Sequence, residues 1–583
     1  MLLDRGGAVA LAALIVYVWI APATIVDGDN AEFSTLGALG GRAHPTGYPL
    51  YVLYLRATSW LPGSSPAHTA GIATAVLAAA LVLVLHAACR AWGARPVAAT
   101  ITCAIYAASP VVLRMHTEAE VFALNGLVAA TVLWLAAADG PARGLRRAAL
   151  LGLVAGLGIA NHMTCVLVAP VGLLGVVRGV REARSSLIAV AASVAGLVVG
   201  LLPYAYLIVA EGPVSYGSVD GIADLLGFLS REDYGGAGAF APTGTDVPVT
   251  TSLATLAQTL GRAWLWLPAL AGVVELGLAI RRPRHDTRWG WIMVAVAFVL
   301  AGPLLASRFN LPPEDMGTYV LQRFHLLPML LLAVPIAGAL DRGWTAIEGR
   351  VRFDKLRKIG VATALVLVMF LALVATALPW LRAKHSPAMQ RSIEAMVAAV
   401  PPRSVIIASG DDLCLGGEYV QHALGLRPDV DVICWGMYSR QWYRDRITAR
   451  GIPPAPASPI AQALAIFPLG RPVFLSSQKQ LALRSQRLPS YPFLGLVRMF
   501  PPGTKLPALA EIVAENKRAY ATLVLDYPTP GREDDWATVA HMRYSVTWVL
   551  LSNALTASGD LREAENALAI ARQLYPPAFE DPP

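Results

Sequence analysis

Three carboxylates, Asp27, Asp29 and Glu32, fall within six residues at the end of the first long apolar run of the chain. Ionised carboxylates beside hydrocarbon are costly, and they are normally placed in a water-filled cavity or given a task. A carboxylate so placed can take the proton of an acceptor hydroxyl. The plainer alternative is a solvated helix end, with Asp or Asn as N-cap and Glu32 in the first turn. The next residues favour a site. Pro45 and Pro49 stiffen the chain around Gly47, with His44 and Tyr48 held between them. A rigid turn beside an acidic loop suits a preorganised centre better than a linker does.

Further polar groups recur where later apolar runs end. One connection carries His116, Glu118 and Glu120, with Asn125 one turn into the following helix, and another carries Asn161 and His162. A longer one contains Arg231 and Tyr234, and a fourth holds Arg308 and Tyr319 with Arg323 at the start of the next helix. One such residue would be a helix cap. Successive turns bearing carboxylate, imidazole or amide groups can converge at one mouth. Arginine offers phosphate a planar fork of donors and stays charged at any working pH; the alternative for Arg56, Arg114, Arg231, Arg308 or Arg323 is snorkelling towards lipid headgroups.

The elements that position these groups are hydrophobic helices. The chain has 583 residues, 55% hydrophobic and only 15% charged, where a soluble chain carries about 25% charged residues. The deficit lies in residues 1–381, and the polarity changes near Pro379–Lys384. Apolar stretches long enough for membrane helices fall near 6–26, 68–89, 96–113, 120–138, 147–160, 163–177, 186–209, 263–280, 289–306, 321–340 and 358–380, about eleven in all. Alternate connections carry Arg90 and Arg95; Arg143, Arg146 and Arg147; Arg178, Arg181 and Arg184; Arg281, Arg282, Arg284 and Arg288; and Arg342 to Lys358. All five lie on one side, the cytoplasmic side by the positive-inside rule. An odd number of spans then places the N-terminus inside and residues 382–583 outside. The net charge of +8 is thereby explained by topology and not by nucleic acid. No small-residue cleavage pattern closes the first span, which reads as a retained signal anchor.

Residues 382–530 read as an extracytoplasmic α/β domain. Ser404–Ala408 and Val430–Cys434 are expected strands with a helix at Glu418–Leu426 between them, and Arg471–Ser476 and Leu494–Phe500 are further strands. Asp411 and Asp412 fall at the carboxyl edge of the first strand, where open α/β sheets bind ligands, or else cap the following helix. No glycine fingerprint follows that strand, which speaks against a dinucleotide site. Five cysteines are too few for a disulfide framework; Cys414 and Cys434 can pair if the domain is exported. Residues 531–583 resemble one tetratricopeptide (TPR) helical hairpin, with Gly559-Asp560 at its turn.

The run Gly28–Phe33 followed by His44–Leu50 resembles the opening of the transmembrane-protein-260 family of protein O-mannosyltransferases and its bacterial relatives. The likeness continues through Glu120–Asn125, Gly158–Thr164, Arg231–Gly235, Arg323–Pro328, Ser409–Asp412 and Arg427–Val430. Phe122 stands where that family commonly has tyrosine. The resemblance implies a polytopic glycosyltransferase of the GT-C class, with about eleven transmembrane helices and a C-terminal soluble α/β plus TPR-like domain. It implies a polyprenyl-phosphate sugar donor in the membrane and a protein, glycan or lipid acceptor. It also carries the role of catalytic base to Asp29, with Glu32 as its near partner and Asp27 ranked lower. His44, Tyr48, His116, Glu118, Glu120, Asn125, Asn161, His162, Arg231, Tyr234 and Arg323 complete the expected substrate-binding set.

No cofactor is expected. Asp27, Asp29, Glu118 and Glu120 are nonetheless hard oxygen ligands suited to magnesium or manganese. The Ala- and Arg-rich composition suggests a bacterial inner membrane. Two readings of other classes remain open. A transporter or lipid flippase should show paired interrupted helices in corresponding halves, and no such symmetry is evident. A membrane-anchored scaffold acting through its C-terminal domain leaves the polar outward turns without a purpose.

Overall fold

The computed structural model describes residues 5–232, 247–283, 285–313, 316–348, 355–476, 488–531 and 535–580. Its N-terminal part is helical: α1 (Arg5–Ile20), α2 (Gly28–Leu39), α3 (Pro49–Ala57), α4 (Pro66–Ala91), α5 (Pro96–Ala108), α6 (Pro110–Met115), α7 (Phe122–Ala136), α8 (Gly144–Asn161), α9 (Ala169–Glu182) and α10 (Ser186–Leu201). There follow α11 (Tyr206–Val209), α12 (Ile222–Leu229), α13 (Val249–Ala263), α14 (Leu267–Arg281), α15 (Arg288–Val299), α16 (Met316–Glu348) and α17 (Lys355–Lys384).

Each apolar segment read from the sequence falls on helical structure, although 96–113 is divided between α5 and α6 and 186–209 between α10 and α11. Among the described residues, five helical stretches are long and apolar enough to cross a membrane, or six if a bent pair counts as one span. The others, such as α1, α5 and α7, are shorter apolar helices. The bent pair is α13 and α14, which meet at 107°. Trp264, Leu265 and Trp266 intervene, Trp266 has a positive φ of 56°, and a proline opens α14. The sequence predicts only the second half of that pair, because α13 carries polar residues along one face. The chain is a multi-pass membrane protein, and its lipid-facing helices leave large apolar side chains such as Leu187, Val198 and Leu270 exposed.

Ion pairs join the basic connections to one another. Arg95 pairs with Asp341 at 2.6 Å, Arg147 with Glu182 at 2.9 Å and Arg342 with Glu275 at 2.5 Å, while Arg178 pairs with Asp286. These contacts gather at one end the loops that alternate along the sequence. The acidic turns gather at the other end.

The first acidic connection is not the single rigid turn that its prolines suggest. It folds into α2 and α3, and the His44–Tyr48 turn links them. Gly47 takes φ +87° there, and a Cβ at that position would meet Leu207 at 2.8 Å. Arg42 donates to the carbonyls of Leu207 and Gly217 at 3.2 and 2.8 Å, pinning this turn to the segment after α11.

Beyond the membrane helices the chain forms α18 (Ala388–Ala399), β1 (Val405–Ala408), α19 (Asp411–Glu418), β2 (Asp431–Cys434), α20 (Gln441–Ala449), α21 (Pro459–Ile466), β3 (Val473–Leu475), β4 (Ser490–Phe493), β5 (Leu496–Met499), α22 (Leu509–Tyr520), α23 (Trp536–Ser558) and α24 (Leu561–Leu574). The five strands form one sheet in the order β2-β1-β3-β5-β4. β1 runs parallel to β2 and β3, and β4–β5 is an antiparallel hairpin. The strand expected at Leu494–Phe500 is thus the second arm of a hairpin. The expected helix begins earlier, at Asp411, because two acids in the first turn favour a helix start. Cys414 and Cys434 are disulfide-bonded, with Cα atoms 5.1 Å apart, and tie α19 to β2. Helices α23 and α24 form an antiparallel hairpin that turns at Gly559 (φ +87°).

The soluble domain sits directly on the acidic end of the helical domain. A Cβ on Gly28 would come within 2.9 Å of the Asp411 Cβ, so α19 packs on the start of α2 at a distance only glycine allows. The backbone N–H of Ala67 donates to the Tyr419 hydroxyl at 3.3 Å, and Trp442 packs on Tyr216 with ring centroids 4.8 Å apart.

Candidate active site

The site is built on the N-terminus of α2. Asp27 caps this helix, its carboxylate accepting from the Asn30 backbone N–H at 2.8 Å. The first turn then carries Asp29, which is partly exposed, and Glu32, which is buried. Glu32 accepts from both the backbone N–H and the Nδ1 of His44, at 2.9 and 2.5 Å. The Tyr48 hydroxyl lies 3.1 Å from the other ring nitrogen of His44, and the Tyr48 ring stacks on His162 at 5.7 Å. The α2–α3 turn is therefore wired to the acidic helix through Glu32.

The opposite wall comes from α16, nearly three hundred residues away in sequence. Arg323 binds Asp29 and reaches Glu120 at 3.0 Å, bridging two acidic connections with one guanidinium. One turn earlier on the same helix, the Tyr319 hydroxyl donates to Asp27 and lies 3.1 Å from Glu118. Both Arg323 and Arg114 stack on the Tyr319 ring, at 4.5 and 4.1 Å from its centroid. Glu118 is fully buried and is further held by Arg114 at 3.3 Å and His385 at 3.2 Å. Every buried carboxylate of this centre has a cation or hydroxyl partner, as burial of charge requires.

The carboxyls are thereby set apart from one another. Burial alone would raise Asp29, but the Arg323 and His44 charges outweigh it and hold it below the usual range. Glu118 is likewise held down against its burial, by His385 and Arg114. Asp27 is pushed up to about 7 by burial and by the Glu118 charge, against the pull of Arg323. Burial would lower His44, yet the Glu32 carboxylate raises it to about 9. The centre thus presents a partly exposed Asp29 held towards its ionised form, with Asp27 behind it pushed towards its protonated form, an arrangement in which pKa values pushed apart mark distinct roles.

The soluble domain adds Asp411 to this wall. Its carboxyl is raised by burial and by the nearby Asp29 and Asp412 charges. The adjacent Asp412 is buried and bound by Arg543. Asp411 instead lies within electrostatic reach of Asp29, Glu32 and His44.

Most residues singled out in the sequence converge here: Asp27, Asp29, Glu32, His44, Tyr48, Glu118, Glu120, His162 and Arg323. Arg231, in the turn after α12, lies within electrostatic reach of His44 and His162. Asn125 and Asn161 play supporting parts. The first donates to Thr164 at 3.1 Å and the second to the Val121 carbonyl at 3.2 Å, which fixes the turn bearing His162. His116 is buried against Tyr106, 6.2 Å between ring centroids, and makes no hydrogen bond to the carboxylates among the described residues. Tyr234 lies outside the described residues. The sequence shows Tyr319 and Arg114 as polar residues at helix ends without marking them as site members, and it does not connect His385 or Asp411 with the site. The spacing of Tyr319 and Arg323, four residues apart on one helix face, is the available signal.

Asp29, Glu32 and His44 each offer a ligand atom, all within 4.8 Å of one another. Their donors fit a metal poorly. Glu32 and His44 are bound to each other, and Arg323, a cation, already occupies Asp29. The expected set of Asp27, Asp29, Glu118 and Glu120 is divided in the same way between Tyr319, Arg323 and His385.

A helical membrane domain whose acidic turns close under a soluble α/β domain has a fold of the GT-C kind. The structure of ArnT from Cupriavidus metallidurans in the apo state shares it with a TM-score of 0.51 at 13% identity, covering 86% of this chain and 98% of that one. Residues 29–185 match the family described as Protein O-mannosyl-transferase TMEM260 N-terminal domain. The chain is 25% identical over 469 residues to Protein O-mannosyl-transferase TMEM260 of Mus musculus, a match that covers 77% of this chain. The chain spans 65% of the length of that relative.

Proposed function

We propose that the protein is a membrane glycosyltransferase that moves a sugar from a polyprenyl-phosphate donor to an acceptor hydroxyl on the extracytoplasmic side. Asp29 is the base. The observation that carries this reading is the Asp29–Arg323–Glu120 bridge. It leaves one ionised carboxylate at the edge of the centre, with its charge balanced and its orientation fixed. Asp29 accepts the acceptor proton as the hydroxyl oxygen bonds to the sugar carbon. The bond from that carbon to the phosphate oxygen breaks, and the lipid phosphate leaves as an anion. A direct displacement of this kind inverts the sugar carbon. A placed general base contributes about 10²–10⁴-fold, and the Arg231 side, with neutral His162 beside it, supplies positive potential for the leaving phosphate.

The lipid nature of the donor is supported by an apolar cleft of about 280 Å³ between α7, α8, α9 and α10. It is lined by Val128, Leu151, Ile159, Cys165 and Leu197. Mannose is the sugar suggested by the name of the mouse relative. The eleven helical segments act as eleven crossings, with the N-terminus and the ion-paired basic loops in the cytoplasm of a bacterial inner membrane. No metal is required, since Arg323 and His44 already balance the acidic helix. The test is a transfer assay with purified protein and a panel of polyprenyl-phosphate sugars. Transfer by the parent and none by Asp29→Ala, at equal expression, is expected. Full activity in Asp29→Ala refutes the assignment of the base, and transport of the lipid-linked sugar without transfer refutes the enzyme.

A further inference from the structure

The residues that join the last membrane helix to the soluble domain make polar contacts with both acidic connections at once. His385 follows α17 by one residue. Its Nδ1 faces the Ile20 carbonyl at 3.1 Å, at the end of α1, and its Nε2 faces the buried Glu118 at 3.2 Å. Five residues on, the Gln390 side-chain carbonyl accepts the Ile25 backbone N–H at 2.9 Å. Its amide is itself oriented by Glu394 at 2.7 Å. Ile25 lies two residues before the Asp27 cap, and Glu118 shares the Tyr319 hydroxyl with Asp27. His385 and Gln390 therefore hold the two ends of one linkage, in which Tyr319 joins Glu118 to Asp27 by hydrogen bonds and the backbone joins Asp27 to Ile25.

We infer that His385 and Gln390 are positioning residues of the active site, and that the soluble domain sets the geometry of the acidic helix α2 as well as covering it. Both are buried, His385 at 7% side-chain exposure and Gln390 at 7%, and neither touches the exposed edge where Asp29 lies. They act through others. His385 fixes Glu118 and thereby the hydroxyl that holds Asp27; Gln390 fixes the entry of the chain into the cap. Misplacement of a reacting group by about 1 Å can cost about 100-fold in rate, so these contacts suffice to control turnover without contributing to binding.

This inference rests on the transferase reading, and its test separates the two. Full-length protein carrying His385→Ala, His385→Gln, Glu118→Gln or the double variant His385→Ala/Glu118→Gln is assayed with the donor panel. We expect kcat to fall about 100-fold in His385→Ala with KM for donor and acceptor unchanged. His385→Gln, which keeps a donor near the Nε2 position, should recover most of that loss. The double variant should be no slower than the slower single one, because both act on one linkage. A second readout needs no activity. In a Cys165→Ser background, the thiol introduced by Asp27→Cys should resist a membrane-impermeant maleimide and become reactive when His385→Ala and Gln390→Met are added. If the parent transfers no sugar, the transferase reading fails and the labelling alone decides the positioning role. Parent-like kcat in His385→Ala, additive losses in the double variant, or equal protection of the introduced thiol in all backgrounds would overturn the inference.

Discussion

Two helix starts in this molecule carry nearly the same local sequence and do different things. α2 opens on Asp27-Gly28-Asp29 and α19 on Gly410-Asp411-Asp412. In each, one aspartate is buried and bound, Asp27 by Tyr319 and Asp412 by Arg543, while the other faces the cleft. Around α2, four further segments arrive: the His44 turn, the 114–120 connection, α16 and the start of the soluble domain. Asp412 is held by a single side chain, Arg543, among the described residues. Acidic first turns are generic, because they suit the helix dipole. What makes one of them a candidate centre is the number of chain-distant groups arranged on it, and the comparison can be broken by perturbing each side in turn.

The largest difference is expected at the exposed carboxylates. Asp29→Ala should lower transfer by about 10²–10⁴-fold while the protein expresses and purifies as the parent does. Asp412→Ala should leave turnover per folded molecule close to the parent and act on stability. It removes the carboxylate that binds Arg543, at a cost of about 1–3 kcal/mol, read as a lower melting temperature of the detergent-solubilised protein. If Asp412→Ala abolishes transfer at unchanged stability, the two helix starts are one functional unit and the contrast disappears. Arg323→Gln probes the bridge itself. Removing one partner of a buried ionic group costs about 3–5 kcal/mol, so both stability and transfer should fall. Loss of transfer alone would give Arg323 a direct contact with substrate.

The helices were legible in the sequence because hydrophobic length is a strong signal, and the basic loops gave their common side. The ion pairs Arg95–Asp341 and Arg178–Asp286 join connections assigned to one face by charge alone. Asp29, Glu32 and His44 were legible because they lie within sixteen residues of one another. Tyr319 and His385 were not, since a tyrosine near a helix start and a histidine after a span have ordinary explanations, and only packing brings them to Asp27 and Glu118. The α2 and α3 helices were hidden for a different reason. Their apolar faces are short and interrupted by Gly40, Gly41 and Pro45, so no periodicity survives over a full window. His116 shows the converse error: its position between acidic neighbours suggested a ligand contact, but the backbone turns its ring towards Tyr106.

The pH dependence sharpens the comparison further. His44 rises to about 9 in the folded protein from an ordinary value of 6.5. Its ion pair with Glu32 therefore contributes in full below about 6.5 and is lost as pH rises through about 9. Stability and transfer should both decline on that alkaline limb, and His44→Asn should flatten it. Asp27 has the same sense in a more acidic window. Its carboxyl is raised from 3.8 to about 7, so the folded protein loses stability as pH rises from about 4 to about 7, and no further above that. Asp27→Asn keeps an N-cap of comparable quality and should cost little at about pH 4, with the parent losing ground relative to it as pH rises towards about 7. A steep loss in Asp27→Asn at low pH would mean that the ionised form is needed.

The smallest effect is expected at Asp411. It faces the centre from the soluble domain without sharing the partners of the other carboxylates among the described residues, and Asp29 already supplies the base. Asp411→Asn keeps the shape of the α19–α2 contact and removes one negative charge from a crowded acidic wall. Transfer should change by only a few-fold, about 1 kcal/mol or less on the scale of a screened charge interaction, with the melting temperature unchanged. The more informative variant is Gly28→Ala, which alters no charge. Its Cβ would meet Asp411 at 2.9 Å, so α19 must move or the start of α2 must shift. If Asp411→Asn is mild and Gly28→Ala is severe, the soluble domain matters to the centre through its position and not through its charge. If the order is reversed, Asp411 contacts substrate, and the start of α19 belongs to the site on the same footing as that of α2.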